Sequence, residues 1–413
     1  MKIWMFDHYA VPPIYYPLER PHKMAKGLIK KGHKVTIFAA STVHNSDVNL
    51  INDNKLFKEE NFDSVNYVYI NAKKYLRNGK DRIINILQYT SRLDKVCSNF
   101  EKPDVIVMTS FHPFACYKGI KLAKKYGIRC ISYISDLWPL SLIELSSVTK
   151  KNVIYKVLYS LEKWIYKKSD AIVFTMEGGK QYIIDQDWDK ENGGPVDLDK
   201  VYHINNGVDL EQFDYNKKHY KFDDEDLDDD SIFKVVYTGS IRKVNNVDQI
   251  VEVAKSIAVK NIKVKFLIYG EGTEKEKLEK YCATNNIKNV IFKGRKEKNF
   301  IPYILSKSNL NYIHIDKKDI YKYGISANKT FEYLASGKPI IIDNWVGYDY
   351  ISKNGCGVMC DGDLTNIANT IIKFYKMNKK EYLEYSLCTR KTAESYDYKK
   401  LTGKLFEIIQ NIV

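Results

Sequence analysis

The sequence contains no apolar run long enough to cross a bilayer. A spanning helix needs roughly 18–20 consecutive apolar residues, and no such stretch occurs among the 413 residues. The amino terminus, residues 1–7, leads directly into an apolar strand and has no signal-peptide pattern. We therefore expect a cytoplasmic protein that meets a membrane only on its cytoplasmic face.

The cysteines have neither the spacing of a zinc site nor the even number expected of a disulfide framework. No two of them have the two-residue separation typical of zinc ligands, and their odd number leaves one without a partner. They are Cys97, Cys116, Cys130, Cys282, Cys356, Cys360 and Cys388. This pattern favours a reduced compartment, in agreement with a cytoplasmic location.

Two further motifs are missing. The first strand is not followed by a glycine-rich dinucleotide fingerprint. Its loop instead carries Tyr15 and Tyr16 and ends at Arg20. No repeat of short period occurs, which excludes a solenoid.

The composition is that of a globular protein with two or three domains. The hydrophobic fraction is 44% and the charged fraction 28%, so a sizeable core is expected. The 65 basic and 51 acidic side chains give a formal net charge of +14. A basic excess suits nucleic acid, an anionic membrane surface or phosphorylated substrates, and by itself does not choose among them.

Apolar strands alternate with helices in both halves of the chain, which predicts an α/β fold with parallel sheets. Polar residues 215–230, with an acidic run at 223–230, separate the halves. We predict an amino-terminal Rossmann-like domain over 1–209, a linker over 210–231, a second Rossmann-like domain over 232–385, and a carboxy-terminal helix over 386–413.

In the first half, polar residues follow two successive apolar strands. His112 follows the strand at 105–108, and Asp136 and Trp138 follow the strand at 130–134. Parallel strands end at one edge of a sheet, where α/β proteins bind ligands. His112 and Asp136 are therefore a candidate reaction centre.

In the second half, glycines and cations follow three strands. Their shared position at the carboxyl edge suits a nucleotide diphosphate better than any single motif does. These residues are Gly239, Ser240, Arg242, Lys243, Gly270 and Arg295.

A helix predicted over 327–335 follows the last of these loops. We expect Ser326 to cap it and its first N–H groups, from Ala327 and Asn328 onward, to face an anion. Lys329 opposes the helix dipole there, which an anionic ligand explains better than helix stability does. Glu332 lies one turn further on the same side.

Residues 140–168 alternate apolar, aromatic and basic side chains. Two interpretations remain open for this segment. It is either an interfacial helix with its lysines toward anionic lipid, or a helix packed on the sheet with a solvated face.

Taken together, these motifs resemble a family 4 glycosyltransferase of the GT-B type, the group that builds bacterial capsule, O-antigen and exopolysaccharide. The similarity covers nearly the whole chain. Its strongest elements are residues 328–333 with 337–339, residues 112–114, residues 136–139 and residues 206–209. The resemblance implies two Rossmann-like domains facing a cleft, with the carboxy-terminal helix crossing back to the first.

The resemblance also implies an activity: retaining transfer of a sugar from a UDP-sugar, without a metal or other cofactor. The first domain would hold a glycan or polyprenyl-diphosphate-linked acceptor, with Tyr15, Tyr16, Arg20 and Trp138 on that side. A peripheral association with the inner membrane surface is compatible with such an acceptor. No nucleic-acid motif is present, and we expect no nucleic-acid partner.

The resemblance assigns roles to individual residues. Glu332 would hold the ribose hydroxyls, and amides near residues 326–329 would face the β-phosphate and donor sugar. Gly239 and Arg242 would line the diphosphate, and Arg295 would lie beside the base. His112 would contact the donor sugar near the reacting carbon, and Asp136 would orient the acceptor or the His112 loop.

The chain departs from the family pattern at three positions. Gly324 stands where a first glutamate is common, with seven residues between it and the second one at Glu332. Ser240 stands in place of an arginine, and Asn245 in place of a lysine. Such changes occur in the subgroup that transfers N-acetylated hexosamines onto lipid-linked glycans.

Two rival functions are weighed against transfer. A sugar-nucleotide epimerase or phosphorylase could use the same fold, since fold does not fix function. A basic membrane- or nucleic-acid-binding protein would bind with an affinity that falls steeply with salt and is indifferent to UDP.

Overall fold

The computed structural model of the protein describes residues 1–15, 18–77, 79–145 and 149–413. The chain forms two compact units. The first comprises Met1–Asn205 together with Tyr398–Val413, and the second comprises Asn206–Asp397. Within the described residues, no helix is both long enough and apolar enough to pass through a membrane.

The first unit contains an eight-stranded sheet in the order β3-β4-β2-β1-β5-β6-β7-β8. Its strands are β1 Lys2–Phe6, β2 Lys34–Ala40, β3 Phe57–Phe62, β4 Val65–Ile70, β5 Val105–Ser110, β6 Arg129–Ile134, β7 Ala171–Phe174 and β8 Val201–His203. Its helices before residue 205 are α1 Arg20–Lys30, α2 Lys80–Cys97, α3 Pro113–Tyr126, α4 Leu140–Leu145, α5 Val153–Lys168 and α6 Gly179–Asp185.

Seven of these strands are parallel, as predicted, and side chains alternate between two buried faces. Ile3 and Met5 of β1 join the apolar cluster formed with α1. Trp4 points the other way, with its ring 5.9 Å from that of Tyr126 on α3. The edge strand β3 is antiparallel to β4 and was not predicted, because FKEENF is mostly polar and exposed.

The second unit contains a six-stranded parallel sheet in the order β11-β10-β9-β12-β13-β14. Its strands are β9 Phe233–Thr238, β10 Val264–Tyr269, β11 Val290–Gly294, β12 Leu310–Ile313, β13 Ile340–Ile342 and β14 Gly357–Met359. Its helices are α7 Leu210–His219, α8 Glu225–Asp228, α9 Val247–Ala258, α10 Lys275–Thr284, α11 Ile301–Lys307, α12 Asn328–Ser336, α13 Tyr350–Lys353, α14 Leu364–Lys376 and α15 Lys379–Ala393.

The last helix, α16 Tyr398–Ile412, belongs to the first unit. Leu401, Leu405 and Ile409 bury one stripe of α16 in the cluster that contains Ile3. At the contact with α1, a Cβ on Gly27 would lie 2.7 Å from Oγ1 of Thr402, so glycine permits the close approach. The predicted helix over 386–413 is in fact two helices, and the first of them, α15, lies in the second unit.

The structure differs from the predicted linker over 210–231, because these residues are folded parts of the second unit. Asp224 and Asp226 contact Nζ of Lys293 at 2.6 and 2.7 Å, and Asp226 also contacts Lys265 at 2.7 Å. Nζ of the buried Lys234 donates to the carbonyl oxygen of Leu227 at 2.9 Å. The acidic segment (residues 223–230) is therefore clamped by lysines of β9, β10 and β11, and the prediction of a solvated run was wrong.

Helix α5 combines the two interpretations that were left open for residues 140–168. Leu158, Glu162 and Ile165 are buried. Val153, Ile154 and Val157, at its start, are exposed by 73%, 62% and 61%. The helix therefore packs on the unit and still leaves an apolar face in solvent, beside Lys150, Lys151 and Lys156. Residues 146–148, within the same predicted segment, lie outside the described residues.

Glu162 on α5 is a carboxylic acid enclosed by the core. Its Oε1 accepts from the hydroxyl of Tyr166 and its Oε2 from that of Tyr182, both at 2.7 Å. Burial raises the pKa of Glu162 to about 8, and the two hydroxyls lower it by less. The protonated form is therefore favoured at neutral pH in the folded protein, and in that form the carboxyl donates one of these two hydrogen bonds to a tyrosine oxygen.

This raised pKa predicts a loss of stability as the pH rises. The folded protein holds the proton up to about pH 8, whereas the unfolded chain releases it near the usual value of 4.5. The contribution is fully present below pH 4.5 and is lost as the pH rises through about 8, at about 1.4 kcal/mol per pH unit. Glu162→Gln keeps the shape without the charge, so urea unfolding should show it more stable than the parent protein at pH 9 and nearly equal at pH 5.

Glu191→Gln is the matched control, because Glu191 is exposed in the same unit. Its stability should follow that of the parent protein at every pH. Equal pH dependence of the parent and the Glu162→Gln protein would contradict a protonated Glu162.

Candidate functional site

In the second unit, three glycines lie side by side at the carboxyl ends of β9, β10 and β11. The N–H of Gly239 donates to Tyr269 O at 3.0 Å, and that of Gly270 donates to Gly294 O at 2.9 Å. A Cβ on Gly270 would lie 1.8 Å from the carbonyl oxygen of Gly239. Glycine at position 270 therefore allows these strand ends to approach.

The ammonium group of Lys329 lies over this backbone. Its Nζ donates to the hydroxyl of Tyr237 at 3.2 Å and is 4.3 Å from the centre of that ring. A Cβ on Gly239 would be 3.1 Å from the same Nζ. Loss of solvation lowers the pKa of Lys329 to about 8, although Glu332 and Asp343 raise it. A cation kept partly dehydrated in this way favours an anionic ligand.

Lys329 occupies the first turn of α12, whose N-cap is Ala327. The methyl group of Ala327 cannot accept a hydrogen bond, so the N-cap side chain does not cover the first N–H groups. The prediction that Ser326 caps the helix was wrong. Its Oγ accepts from the N–H of Asn206 at 3.2 Å, and its carbonyl oxygen accepts from Nδ2 of Asn206 at 2.7 Å.

Glu332 lies one turn along α12 and is 22% exposed. Nζ of Lys298 is 3.8 Å from its Oε1, a distance that leaves a loose ion pair. The carboxylate can accept hydrogen bonds from hydroxyl groups of a ligand. Asn328, at the start of the same helix, is exposed.

Ser240 and Asn245, two of the positions that depart from the family pattern, contact each other. Nδ2 of Asn245 donates to Oγ of Ser240 at 2.6 Å and to its carbonyl oxygen at 2.9 Å. The hydroxyl of Tyr237 donates to the same carbonyl at 3.1 Å. The pair thus closes the loop after β9 with neutral groups. Arg242 and Lys243 follow in this loop and are exposed, as is Arg295 after β11.

The neighbouring strands β12 and β13 end in a His–Asp pair that the sequence analysis missed. Nδ1 of His314 lies 2.6 Å from Oδ2 of Asp343, which also accepts from the hydroxyl of Tyr312 at 3.0 Å. Oδ1 of Asp343 accepts from the N–H of Ile315 at 2.9 Å. Both residues directly follow buried apolar strands, and that position is the sequence signal that could have identified them.

In the first unit, β1 and β5 end in two buried histidines. His112 is the N-cap residue of α3 and is 1% exposed. Its Nε2 lies 3.0 Å from Nδ1 of His8, and Nε2 of His8 lies 2.6 Å from Oδ1 of Asn85 on α2. His8 and Asn85 were not predicted, because no sequence rule connects a residue after β1 to one inside α2.

Asp136 and Arg20 lie at the same carboxyl edge. Part of Asp136 is exposed, but loss of solvation around its carboxyl raises the pKa of that group to about 6. The charges of Arg20 and Arg82 lower this pKa by less. The guanidinium of the buried Arg20 donates to Oγ of Ser135 at 2.8 Å and stacks 4.6 Å from the ring centre of Tyr133. The structure thus brings Arg20 close to the strand end that carries Asp136.

The remaining acceptor-side residues are less enclosed. Tyr15 is 41% exposed, and its N–H donates to Pro12 O at 2.9 Å. Trp138 is half-buried, between the buried Leu137 and Pro139. Tyr16 lies outside the described residues.

Comparison with protein families gives two matches. Residues 22–212 match the family described as Glycosyltransferase Family 4, and residues 221–386 match the family described as Glycosyl transferases group 1. Comparison with curated protein sequences gives no match.

Solved structures of similar fold cover the whole chain. Sucrose-phosphate synthase from Thermosynechococcus elongatus has a TM-score of 0.71 at 12% identity, over 99% of this chain and 98% of that chain. WaaG, a glycosyltransferase involved in lipopolysaccharide biosynthesis, has a TM-score of 0.67 at 13% identity, over 98% of this chain and 99% of that chain. Anabaena Alr3699/HepE in complex with UDP has a TM-score of 0.67 at 12% identity, over 100% of both chains.

These identities are low enough that the structural likeness shows the fold alone. The family matches cover most of the chain, and they agree with two units that each contain a largely parallel sheet. The protein therefore belongs to the family 4 glycosyltransferases of the GT-B fold.

Proposed function

We propose that this glycosyltransferase transfers the sugar of a UDP-sugar, expected to be an N-acetylated hexosamine, to a glycan or polyprenyl-diphosphate-linked glycan. The proposed setting is synthesis of a surface polysaccharide in the cytoplasm. The observation that carries the proposal is the half-buried ammonium of Lys329 over the glycine backbone at β9. The complex of HepE with UDP and the lipopolysaccharide role of WaaG support it by analogy.

The leaving diphosphate needs positive charge, and the second unit offers it. Lys329 and the first N–H groups of α12 are already in place, so they stabilise the departing phosphate without reorganisation. Arg242 and Lys243, exposed in the loop after β9, can approach a bound diphosphate. We propose that no metal ion is required for this step.

We propose front-face transfer with retention of anomeric configuration. The acceptor hydroxyl oxygen attacks the anomeric carbon as the bond to the diphosphate breaks, and the departing β-phosphate oxygen takes the hydroxyl proton. Glu332 holds the ribose hydroxyls and Arg295 lies beside the base. His112 contacts the sugar near the reacting carbon, and Asp136 orients the acceptor.

A lipid-linked acceptor implies contact with a membrane. Val153, Ile154 and Val157 on α5 are largely exposed, and Lys150, Lys151 and Lys156 accompany them. Apolar side chains with flanking cations suit the surface of an anionic bilayer. We propose that this α5 face associates peripherally with the inner membrane surface.

Removing the ammonium of Lys329 tests the diphosphate site. A charged hydrogen bond is worth about 1.5–3 kcal/mol, so Lys329→Met should weaken UDP binding in calorimetry by about tenfold to hundredfold. The affinity of the parent protein should also fall above about pH 8. The cation is present below that pKa and lost above it.

Lys255→Met is the matched control. Nζ of Lys255 donates to the hydroxyl of Tyr281 at 3.1 Å and lies 5.3 Å from that ring, so the same pair is broken elsewhere in the unit. UDP affinity should be unchanged in this variant. Equal affinities for all three proteins would remove Lys329 from the site.

Glu332→Gln tests ribose recognition. Because a carboxylate accepts from hydroxyl groups more strongly than an amide does, the variant should bind UDP about tenfold more weakly. It should also discriminate less between UDP and 2′-deoxy-UDP than the parent protein does. The exposed Glu276 supplies the control, Glu276→Gln, which should behave as the parent protein in both measurements.

Replacing Val153, Ile154 and Val157 by serine tests the membrane surface. Flotation with vesicles containing anionic lipid should recover the parent protein and several-fold less of the triple variant. Leu383→Ser with Leu387→Ser removes two exposed leucines from α15 and should leave flotation unchanged. Equal flotation of the triple variant and the parent protein would exclude α5 as the contact.

A panel of UDP-sugars, with product analysis in the presence and absence of an acceptor, tests the reaction itself. The expected result is release of UDP coupled to a new glycosidic bond. An altered UDP-sugar formed without acceptor would instead indicate the epimerase that the sequence left open.

A further inference from the structure

We propose that His8 and Asn85 are positioning residues that fix His112 as a hydrogen-bond acceptor for a sugar hydroxyl. Asn85 and His8 form a buried chain of hydrogen bonds that ends at Nε2 of His112 and leaves Nδ1, the other ring nitrogen, as the acceptor. The identity of the ligand rests on the proposed function, whereas the state of His112 follows from the residues themselves.

The directions of the hydrogen bonds made by Asn85 follow from its partners. Nδ2 of Asn85 donates to the carbonyl oxygen of Lys73 at 2.7 Å and to Oγ1 of Thr42 at 2.9 Å. A carbonyl oxygen can only accept, so the amide nitrogen faces Lys73 and Oδ1 faces His8. Asn85 is fully buried, which prevents water from replacing these contacts.

The contact with Asn85 determines which ring nitrogen of His8 carries the proton. Oδ1 of Asn85 accepts only, so Nε2 of His8 carries a proton and donates across 2.6 Å. Burial lowers the pKa of His8 to about 3, and Arg82 and His44 lower it further against the opposing bond to Asn85. His8 is therefore neutral, and its Nδ1 is a bare acceptor.

The contact with His8 in turn determines which ring nitrogen of His112 carries the proton. Its Nε2 donates to Nδ1 of His8 at 3.0 Å, so the proton of His112 resides on Nε2. Burial lowers the pKa of His112 well below its usual value, and nearby His8 and Arg82 lower it further. Nδ1 of His112 consequently carries a lone pair at neutral pH.

That lone pair is buried, and it has no hydrogen-bond partner among the residues that the structure describes. Buried acceptors are nearly always satisfied, so an unpaired one at the carboxyl edge of a parallel sheet indicates that a ligand supplies the donor.

The chemistry of the lone pair selects the ligand group. A phosphate oxygen or a carboxylate would meet it with another lone pair and be repelled. A sugar hydroxyl can donate to it. A site arranged to accept from a hydroxyl rejects analogues that lack one, because the acceptor is then left unpaired. His112 therefore selects a sugar that presents a hydroxyl here, and its unprotonated Nδ1 cannot act as a general acid.

The state of His112 can be tested without any ligand. In protein labelled with ¹⁵N at histidine, with His112→Gln used for assignment, Nδ1 of His112 should have the chemical shift of an unprotonated nitrogen. This signal should not change between pH 8 and pH 5. A protonated Nδ1, or titration of His112 in this range, would overturn the inference whether or not the protein binds UDP.

Two variants of His8 separate positioning from simple packing. His8→Gln keeps the polarity, since its amide can donate to Asn85 and accept from His112, and it should keep the unprotonated Nδ1 signal. His8→Phe fills the space but accepts nothing, and its His112 should show a proton shared between both nitrogens. Identical spectra for the two variants would overturn the role of His8.

The ligand is tested with three probes on the same signal: UDP, UDP-N-acetylglucosamine, and a farnesyl-diphosphate-linked N-acetylglucosamine. Nδ1 of His112 should shift with one of the sugar probes and not with UDP, and the responding probe identifies the hydroxyl as that of the donor or of the acceptor. His8→Phe should bind that probe about tenfold more weakly and UDP equally well.

Binding of a sugar probe in calorimetry without any shift of Nδ1 would overturn the hydroxyl assignment. If UDP and both sugar probes fail to bind, the proposed function is wrong, and the spectra of the free protein still decide the state of His112.

Discussion

The site in the second unit depends on the close approach of two strand ends. A Cβ at Gly270 would lie 1.8 Å from the carbonyl oxygen of Gly239, so any larger residue would push β9 and β10 apart. The same stretch of backbone supports Tyr237, whose hydroxyl accepts from Lys329 and donates to the carbonyl of Ser240. The close approach of the strands thus positions Tyr237, and the side chain of Tyr237 in turn holds the ammonium of Lys329.

The features that the sequence predicted well are those determined by neighbours along the chain. The alternation of apolar strands with helices predicted the parallel sheets. Polar residues after two strands predicted where His112 and Asp136 would lie, and the predicted helix placed Lys329 in its first turn. The helix predicted over 327–335 is likewise close to α12, which ends at Ser336, before Gly337 with its positive φ. Local rules also fail locally, as at Ser326, where an available partner at Asn206 competes with capping.

The features that were missed depend on residues far apart in the chain. The acidic segment resembles a solvated run until Lys265 and Lys293, from strands that follow it, are seen to lie against it. Likewise, His8 and Asn85 are ordinary residues in sequence, and only the fold brings them into a chain with His112. Strand β3 has no apolar pattern of its own and forms because β4 offers it an edge.

The acidic segment also changes how the net charge of +14 should be understood. Its carboxylates are counter-ions for Lys234, Lys265 and Lys293. Lys234 is almost wholly buried, and its ammonium also donates to the carbonyl oxygen of Leu227. The net charge already counts these carboxylates, so their pairing with the three lysines means that the basic excess lies on other parts of the surface. An anionic polymer that approached the acidic segment would therefore meet its carboxylates, such as that of the exposed Asp230, before it met these lysines.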